Sequence, residues 1–348
     1  MKPTRTAESS SLWDQVDWAA LGRLRARFLD ESGAGDDYWA GEVELRSYDL
    51  TFGQRIAWKW LHVLGELESL GWTPPAAEVV DWGCGSGVAG RVFANAYHGR
   101  GVKGLSLWDR STLAMRYARG RAAERFPDLP VSPWMPDAEE RPFVLLFSHV
   151  LTELDPAGME KALALARKAE AVVCVEPGAF GASRRLIHVR EALRSEFRVV
   201  APCTHASPCG MLTPGNESHW CHHFAWPPPE VFTDPGWSRF ASFMGIDLRG
   251  LPVSYLVLDR RREPSVLEGA VRCIGHARVH KPHALVLGCD ASGVSEKKIS
   301  RRFHPGWYKR LRKDEVVPWV RWICDGDDVT ELAPAVGEVV EDGDGTES

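Results

Sequence analysis

Residues 78–90 read Glu-Val-Val-Asp-Trp-Gly-Cys-Gly-Ser-Gly-Val-Ala-Gly, an apolar strand that ends in Asp81 and runs straight into Gly83, Gly85 and Gly87. A glycine-rich turn of this kind lets backbone pass close to a ligand, and the helix after it offers free N–H groups at its N-terminus. A carboxylate at the strand end suits a cationic amino group and repels a pyrophosphate. A second acid, Asp109, ends the next apolar run 22 residues after Gly87. There it is placed to take both hydroxyls of an adenosine ribose, as carboxylates do in nucleotide sites. The cysteines carry a different chemistry. Cys203, Cys209 and Cys221 fall within nineteen residues, among prolines and histidines in a stretch too polar to form a core. That combination points to metal ligands.

Two readings of the glycine loop compete. Gly85, Gly87 and Gly90 satisfy the dinucleotide pattern G-x-G-x-x-G. Asp81 with Gly83, Gly85 and Gly87 instead resembles the first motif of class I S-adenosylmethionine-dependent methyltransferases, and the two acids favour that cofactor over a nicotinamide. On this reading Asp81, Gly83, Gly85, Gly87 and Asp109 bind the cofactor. Ser148-His149-Val150-Leu151-Thr152-Glu153 follows a later strand, where class I enzymes place catalytic residues. Ser148 and His149 are the candidate catalytic pair, and His149 or Glu153 has the chemistry of an acid or base. The segment is not of the Asn-Pro-Pro-Tyr type used by amino-methylating nucleic-acid enzymes. No cysteine sits where carbon-5 pyrimidine methylases need one.

Four thiolates suit tetrahedral zinc or an iron–sulfur cluster, so the cysteine trio needs a fourth ligand. Cys289, at a strand end just before a turn, is the first choice; Cys273, Cys324, His205 and His222 are alternatives. Cys84 and Cys174, in strand or turn contexts, read as small buried hydrophobes. The C-x3-C-x2-C spacing of radical adenosylmethionine enzymes is absent. Any cluster is therefore expected to be structural.

These residues need a scaffold. Residues 12–70 carry helical spacing of apolar residues, after which Gly71 and Thr73-Pro74-Pro75 punctuate the chain. Short apolar runs at 78–82, 101–108, 143–148 and 171–176 then alternate with helical stretches at 91–97, 112–125 and 158–168, the pattern of an α/β layer fold with a parallel sheet. Two further strands are expected at 197–201 and 253–259, separated by a Pro-, His- and Trp-rich insert at 202–252. Residues 278–302 read as a hairpin turning at 290–293. The 348 residues are 44% hydrophobic and 26% charged, as in ordinary globular domains, and carry a formal net charge of −5. The nine acids and no bases after Cys324 account for the sign; this tail is expected to be disordered. No apolar run approaches the ~20 residues of a membrane span, the first eleven residues are too polar for a secretory signal, and eight cysteines are too few for a disulfide scaffold. A soluble cytoplasmic protein is the expectation.

Asp81 to Gly90, Val175-Glu176-Pro177-Gly178, Ala201-Pro202-Cys203 with His205 and Cys209, Trp220-Cys221-His222, Ser254-Tyr255-Leu256-Val257-Leu258, Gly288-Cys289 and Tyr308-Lys309 with Arg312-Lys313 occur in a recognisable order. Together they resemble the methyltransferase-like family of small-ribosomal-subunit assembly factors of mitochondria and bacteria, over roughly residues 50–322. The resemblance implies a class I methyltransferase fold that binds S-adenosylmethionine. It also implies a [4Fe-4S] cluster on Cys203, Cys209, Cys221 and Cys289, and association with the small ribosomal subunit and its rRNA. The Trp- and Pro-rich stretch 224–250, the first helices and the acidic tail depart from the family.

The expected architecture is an α/β class I (Rossmann-like) methyltransferase sheet over residues 71–262, with the cysteine-rich metal-binding insert at 202–252. A helical extension at 1–70 precedes it; a basic β segment at 263–324 and the acidic tail at 325–348 follow. Lys297, Lys298, Arg301, Arg302, Lys309, Arg310, Arg312 and Lys313 lie within seventeen residues, with Phe303, Trp307 and Tyr308 interleaved, a composition suited to phosphates and unpaired bases. The acidic tail is expected to screen this patch until RNA displaces it. Other function classes are a non-catalytic RNA-binding assembly factor, and a zinc-bearing small-molecule methyltransferase or nicotinamide oxidoreductase.

Overall fold

The computed structural model describes residues 12–29, 39–135 and 141–337. Met1 to Ser11, expected to be too polar for a secretory signal, and residues 338–348 of the acidic tail lie outside the described residues.

The chain opens with three helices, α1 (Trp18–Leu29), α2 (Glu42–Asp49) and α3 (Phe52–Ser69). The α/β layer follows: β1 (Ala77–Trp82), α4 (Val88–Tyr97), β2 (Val102–Trp108), α5 (Thr112–Arg125), β3 (Val131–Pro133), β4 (Phe143–Ser148), α6 (Pro156–Ala166), β5 (Ala171–Pro177), α7 (Phe180–Leu193), β6 (Arg198–Ala201), β7 (His223–Ala225), α8 (Pro235–Met244) and β8 (Leu251–Asp259). The helix starts are written in the sequence. Ser111 caps α5 by accepting from Ala114 N, and Asp155 caps α6 by accepting from Gly158 N, with Pro156 at the first helical position.

The strands order as β3-β2-β1-β4-β5-β8-β6, with β7 added on β8. β3, β2, β1, β4 and β5 run parallel, and β8 is antiparallel to β5, β6 and β7. This is the α/β Rossmann-like methyltransferase sheet. It departs from the dinucleotide order 3-2-1-4-5-6 by the reversed strand lodged between the fifth and sixth positions. Helices α3, α4 and α5 pack one face through Trp60, Phe93 and Ala118, while α6 and α7 cover the other through Leu163 and Leu186.

A second, smaller unit follows: β9 (Val271–Val279), β10 (His283–Asp290), β11 (Gly293–Ser300), α9 (Pro305–Leu311), β12 (Trp319–Asp325) and β13 (Asp328–Pro334). Its strands close into a barrel in the order β10-β11-β13-β12-β9. The core of the barrel is Val271, Ala284, Val286, Ile299, Trp307, Tyr308 and Val320.

Two sequence readings need correction. The tail does not start at residue 325 as disordered chain: Asp328–Pro334 is a barrel strand, because Val329 is a buried core residue and backbone pairing to β12 satisfies this acidic stretch. Trp307 and Tyr308 are not surface stackers; they are 2% and 6% exposed and fill the barrel. Among the described residues no helix is long and apolar enough to cross a membrane.

The two units are joined by one buried cation. Arg272 of β9 donates to both carboxylate oxygens of Glu66 on α3 at 3.0 Å each, and its Nε reaches His223 Nδ1 of β7 at 3.3 Å. Its guanidinium lies over the Trp319 ring at 4.6 Å, and Tyr255 of β8 donates its hydroxyl to the same Glu66. Arg272→Leu leaves Glu66 buried without its cation and should cost about 3–5 kcal/mol in urea unfolding, whereas removing both charges in Glu66→Leu/Arg272→Leu should recover part of that loss. A double variant as unstable as the two single losses added together would refute the pairing.

Candidate functional site

Parallel register sets the site. Asp81 lies beside Leu107 of β2 and Leu146 of β4, Trp82 beside Trp108 and Phe147, and Ser148 beside Val175. The carboxyl ends of β1, β2, β4 and β5 therefore stop at one level, bringing Asp81, Asp109, Ser148 and Glu176 to a single rim. This is where open α/β sheets bind ligands.

Asp81 is fully buried. Its Oδ2 accepts from Gly90 N at 2.8 Å at the start of α4, while Oδ1 has no hydrogen-bond partner. Burial pushes the carboxyl up to about 7, with Asp109 adding to the rise against the Gly90 N–H and Arg91. Gly83 has φ +75°, and a Cβ there would lie 2.6 Å from Val150 Cγ2. Gly85 also has positive φ, and a Cβ there would meet open space. Gly87, at φ +74°, is the N-cap of α4. Asp109 holds this loop from β2: Oδ2 accepts from Gly85 N at 2.8 Å and Oδ1 from Ser111 N at 2.9 Å.

The rim continues on β4 and β5. Ser148 Oγ accepts from Trp60 Nε1 of α3 at 2.9 Å. His149 has φ +55°, is held by its backbone N–H on Val175 O at 3.0 Å, and leaves Nε2 buried without a partner. Burial, with Lys59 and Arg55 nearby, drives its pKa well below the usual histidine value, so the ring is neutral. Glu176 Oε1 accepts from Val150 N and Leu151 N at 3.1 Å each, and Oε2 is unpartnered; burial raises this carboxyl to about 7. Glu153 sits farther out, 3.8 Å from Arg110, its pKa raised by burial.

Two parts of the site were not read from the sequence. Asp49, at the end of α2, is buried and clamps the glycine loop from above: it accepts from Ser86 Oγ at 2.9 Å and from Arg91 at 2.5 Å. Lys59 of α3 is buried near His149 and Glu176, and burial lowers its pKa to about 7. A lysine on the otherwise apolar face of an amphipathic helix was the available signal.

The second cluster lies where the insert meets the barrel. Cys209, Cys221 and Cys289 pack with Ile187, Met211 and Ile274, and Cys203 Sγ accepts from Arg190 Nε at 3.3 Å. Helix α7, unassigned in sequence, builds this loop. Arg190 also binds His205 O and Ser207 O at 2.9 Å, Glu191 accepts from Cys209 N, and Ser183 from Cys221 N. Cys289 arrives from the barrel, where a Cβ on Gly210 would lie 2.8 Å from Val294 N of the adjoining hairpin. Burial raises the Cys209, Cys221 and Cys289 thiols, and Cys203 adds to each rise. Of the alternative ligands, His205 Nε2 lies 3.9 Å from Cys289 Sγ, whereas Cys273 is buried in the barrel core. Among the described residues, no three His, Cys, Asp or Glu side chains converge as a site for a single metal ion.

The sequence profile described as mitochondrial small ribosomal subunit Rsm22 matches residues 135–319, just over half of the chain. The chain belongs to the Rsm22 family. The matched stretch contains all four cysteines of the cluster and most of the barrel; the glycine loop of this Rsm22-family chain precedes it. No curated protein matches the sequence. Solved structures similar to the chain include a putative RNA methyltransferase from Pyrococcus horikoshii, 13% identical over 58% of this chain and 82% of that one, at a TM-score of 0.33. Another is magnesium protoporphyrin IX methyltransferase from Synechocystis PCC 6803, 13% identical over 73% of this chain and all of that one, at a TM-score of 0.33.

The loop geometry is testable without a ligand. Gly83→Ala forces a left-handed conformation on a side chain already in contact with Val150, and should cost at least about 2 kcal/mol in urea unfolding. Adding Val150→Ala should restore the part due to overlap and leave the part due to φ. Unchanged stability in Gly83→Ala would show that the turn is not held as described.

Proposed function

We propose that this Rsm22-family protein binds S-adenosylmethionine in the glycine loop, carries a [4Fe-4S] cluster on Cys203, Cys209, Cys221 and Cys289, and acts on small-subunit rRNA or the assembly of the small ribosomal subunit. The observation that carries the cofactor reading is the buried, partnerless Oδ1 of Asp81 beside a glycine with open space before it. A buried acceptor without a donor marks a place for one, and an ammonium group supplies both the donor and the charge. Gly83, Gly85 and Gly87 bring backbone to the ligand, and Asp109 serves the ribose hydroxyls, exchanging its hold on Gly85 N for them or keeping it with one oxygen.

When bound, adenosylmethionine supplies an electrophilic methyl group. The chain's part is to position the acceptor at the rim of Ser148 and His149 and to exclude water. His149, neutral and with a free Nε2, is equipped to take a proton from an acceptor. The cover that α3 places on this rim, with Trp60 bonded to Ser148, favours a second reading: a non-catalytic assembly factor that uses the cofactor to stabilise its shape.

The four thiols support the cluster. Each zinc–sulfur bond is only about 2.3 Å, which draws the ligands of a single ion tightly together. Cys209, Cys221 and Cys289 pack in one small cluster, and Cys203 is held beside it by Arg190. Four cysteine thiolates are the ligand set of a [4Fe-4S] core. Its role is structural, since it ties the insert to the barrel.

Two measurements test these assignments. A cationic ligand needs Asp81 ionised, and burial holds the free carboxyl near 7, so affinity for adenosylmethionine should rise about eightfold between pH 6 and 7.5 by calorimetry. Asp81→Asn should weaken binding and flatten that profile; an unaltered profile would remove Asp81 from the site. If Asp81→Asn abolishes methylation of small-subunit RNA, the enzyme reading holds, and if subunit association survives without any methylation in the parent, the assembly-factor reading holds. Anaerobically purified protein should contain about four irons and four acid-labile sulfides per chain, lost in Cys289→Ser. One zinc and no sulfide would overturn the cluster.

A further inference from the structure

The barrel has features that the sequence did not announce. Five strands close in the order β9-β10-β11-β13-β12, α9 falls between the third and fourth strands, and the third and fifth, β11 and β13, pair in parallel. That arrangement is an OB-fold. Its ligands cross the outer face of the second and third strands, between the loop joining the first two and the loop joining the last two.

Half of that face is closed here. Toward the β10–β11 turn, Leu287, Cys289 and Val294 pack against the cysteine segment. The other half, toward the loop at residues 280–282, is open. Strand alternation puts Leu285 outward between Arg278 of β9 and Lys298 of β11. His280 and Lys281 project from the loop, and the rings of His280 and His283 stand 5.0 Å apart.

The exit of β11 joins the same surface. Arg301 N donates to Pro282 O at 2.9 Å, and Tyr308 donates its hydroxyl to His280 O at 2.8 Å, so loop and turn are one rigid piece. Phe303 on that turn is 70% exposed, with the Arg302 guanidinium 5.7 Å from its ring centre. Lys297 and Lys298 are neutralised by Asp327 and Asp328. Lys281, Arg301, Arg302, Lys309 and Arg310 have no carboxylate partner among the described residues, which leaves the charge concentrated around Phe303.

We propose that this open half of the barrel face binds a single-stranded segment of RNA, its phosphates along Lys281, Arg301 and Arg302 and an unpaired base stacked on Phe303. The inference rests on the reading of an RNA partner and narrows it. A lone exposed ring with an arginine beside it stacks on any base that is not already paired, and duplex RNA offers it none. Asp327 in the β12–β13 turn and Asp328 of β13 belong to the barrel and pair with Lys297 and Lys298, so this portion of the tail borders the site as part of the fold rather than as a displaceable screen.

The test is fluorescence anisotropy of the full chain with a labelled single-stranded RNA of about 12 nucleotides, and with a blunt duplex of the same sequence, at low and moderate salt. The single strand should bind about tenfold more tightly than the duplex; Phe303→Ala should lose about tenfold on the single strand alone, and Phe303→Trp should retain it. Arg301→Ala/Arg302→Ala should lower the salt slope by about 1.4. Phe303 is exposed, so its variants should melt like the parent. Equal binding of both RNAs, or an unchanged affinity in Phe303→Ala, would overturn this site while leaving an RNA partner in place. No binding of either RNA at low salt would overturn both.

Discussion

Arg272 is the constraint on which the architecture turns. A guanidinium in a dry interior is tolerated only when its charge and donors are answered, and here one carboxylate answers the charge from a different layer of the protein. Glu66 comes from the helical layer, Tyr255 and His223 from the sheet and its added strand, and Trp319 from β12, directly opposite Arg272 in the barrel. None of these elements can move away without stranding a buried ion. The position of the barrel on the sheet is thus fixed by this polar cluster together with apolar contacts among Ile187, Met211 and Ile274.

The cysteine cluster depends on that fixing. Cys203, Cys209 and Cys221 are set by α7 and the insert, but Cys289 belongs to the barrel, one residue along β10 from Gly288 and opposite Arg272 itself in the β9–β10 pairing. Backbone contacts reinforce the junction: Gly275 N donates to His222 O, and Trp319 Nε1 to Pro202 O, both at 3.0 Å. The fourth thiol therefore arrives only if the barrel docks correctly. A group bound by all four would reward docking, and Arg272 would hold the thiols near one another before any such group arrives.

Legibility in the sequence followed the range of the interactions. β1, β2, β4 and β5 were evident because strands covered on both faces are short continuous apolar runs, and the glycine loop because Gly83 and Gly87 occupy conformations that side chains avoid. The β10–β11 hairpin was evident for the same local reasons. Helix α7 was not: two glycines in its approach and first turn and three arginines along it dilute the apolar period, and those arginines make sense only once Arg184 and Arg190 are seen holding loop carbonyls of the insert. Asp49 was equally silent, since it acts on partners far along the chain, and Lys59 showed only as a lysine on an apolar helix face. Strand β13 was hidden by its acids, which face solvent while Val329 alone reaches the core.

The buried charged groups of the junction and of the rim differ in how fully they are satisfied. Each guanidinium nitrogen of Arg272 donates to Glu66 or His223, and both carboxylate oxygens of Glu66 accept. Asp81 and Glu176, equally buried, each leave one carboxylate oxygen unmatched, and His149 leaves Nε2 unmatched between them. Folding alone gives no reason to bury an acceptor without a donor, because the desolvation cost is then not offset. Burial also holds Asp81, Glu176 and Lys59 near 7, where a small change in surroundings decides their charge. Groups left incomplete, near neutrality and at the carboxyl ends of parallel strands are completed by what binds there. On this ground the rim, rather than the better-satisfied junction at Arg272, is the place we propose for a small polar ligand.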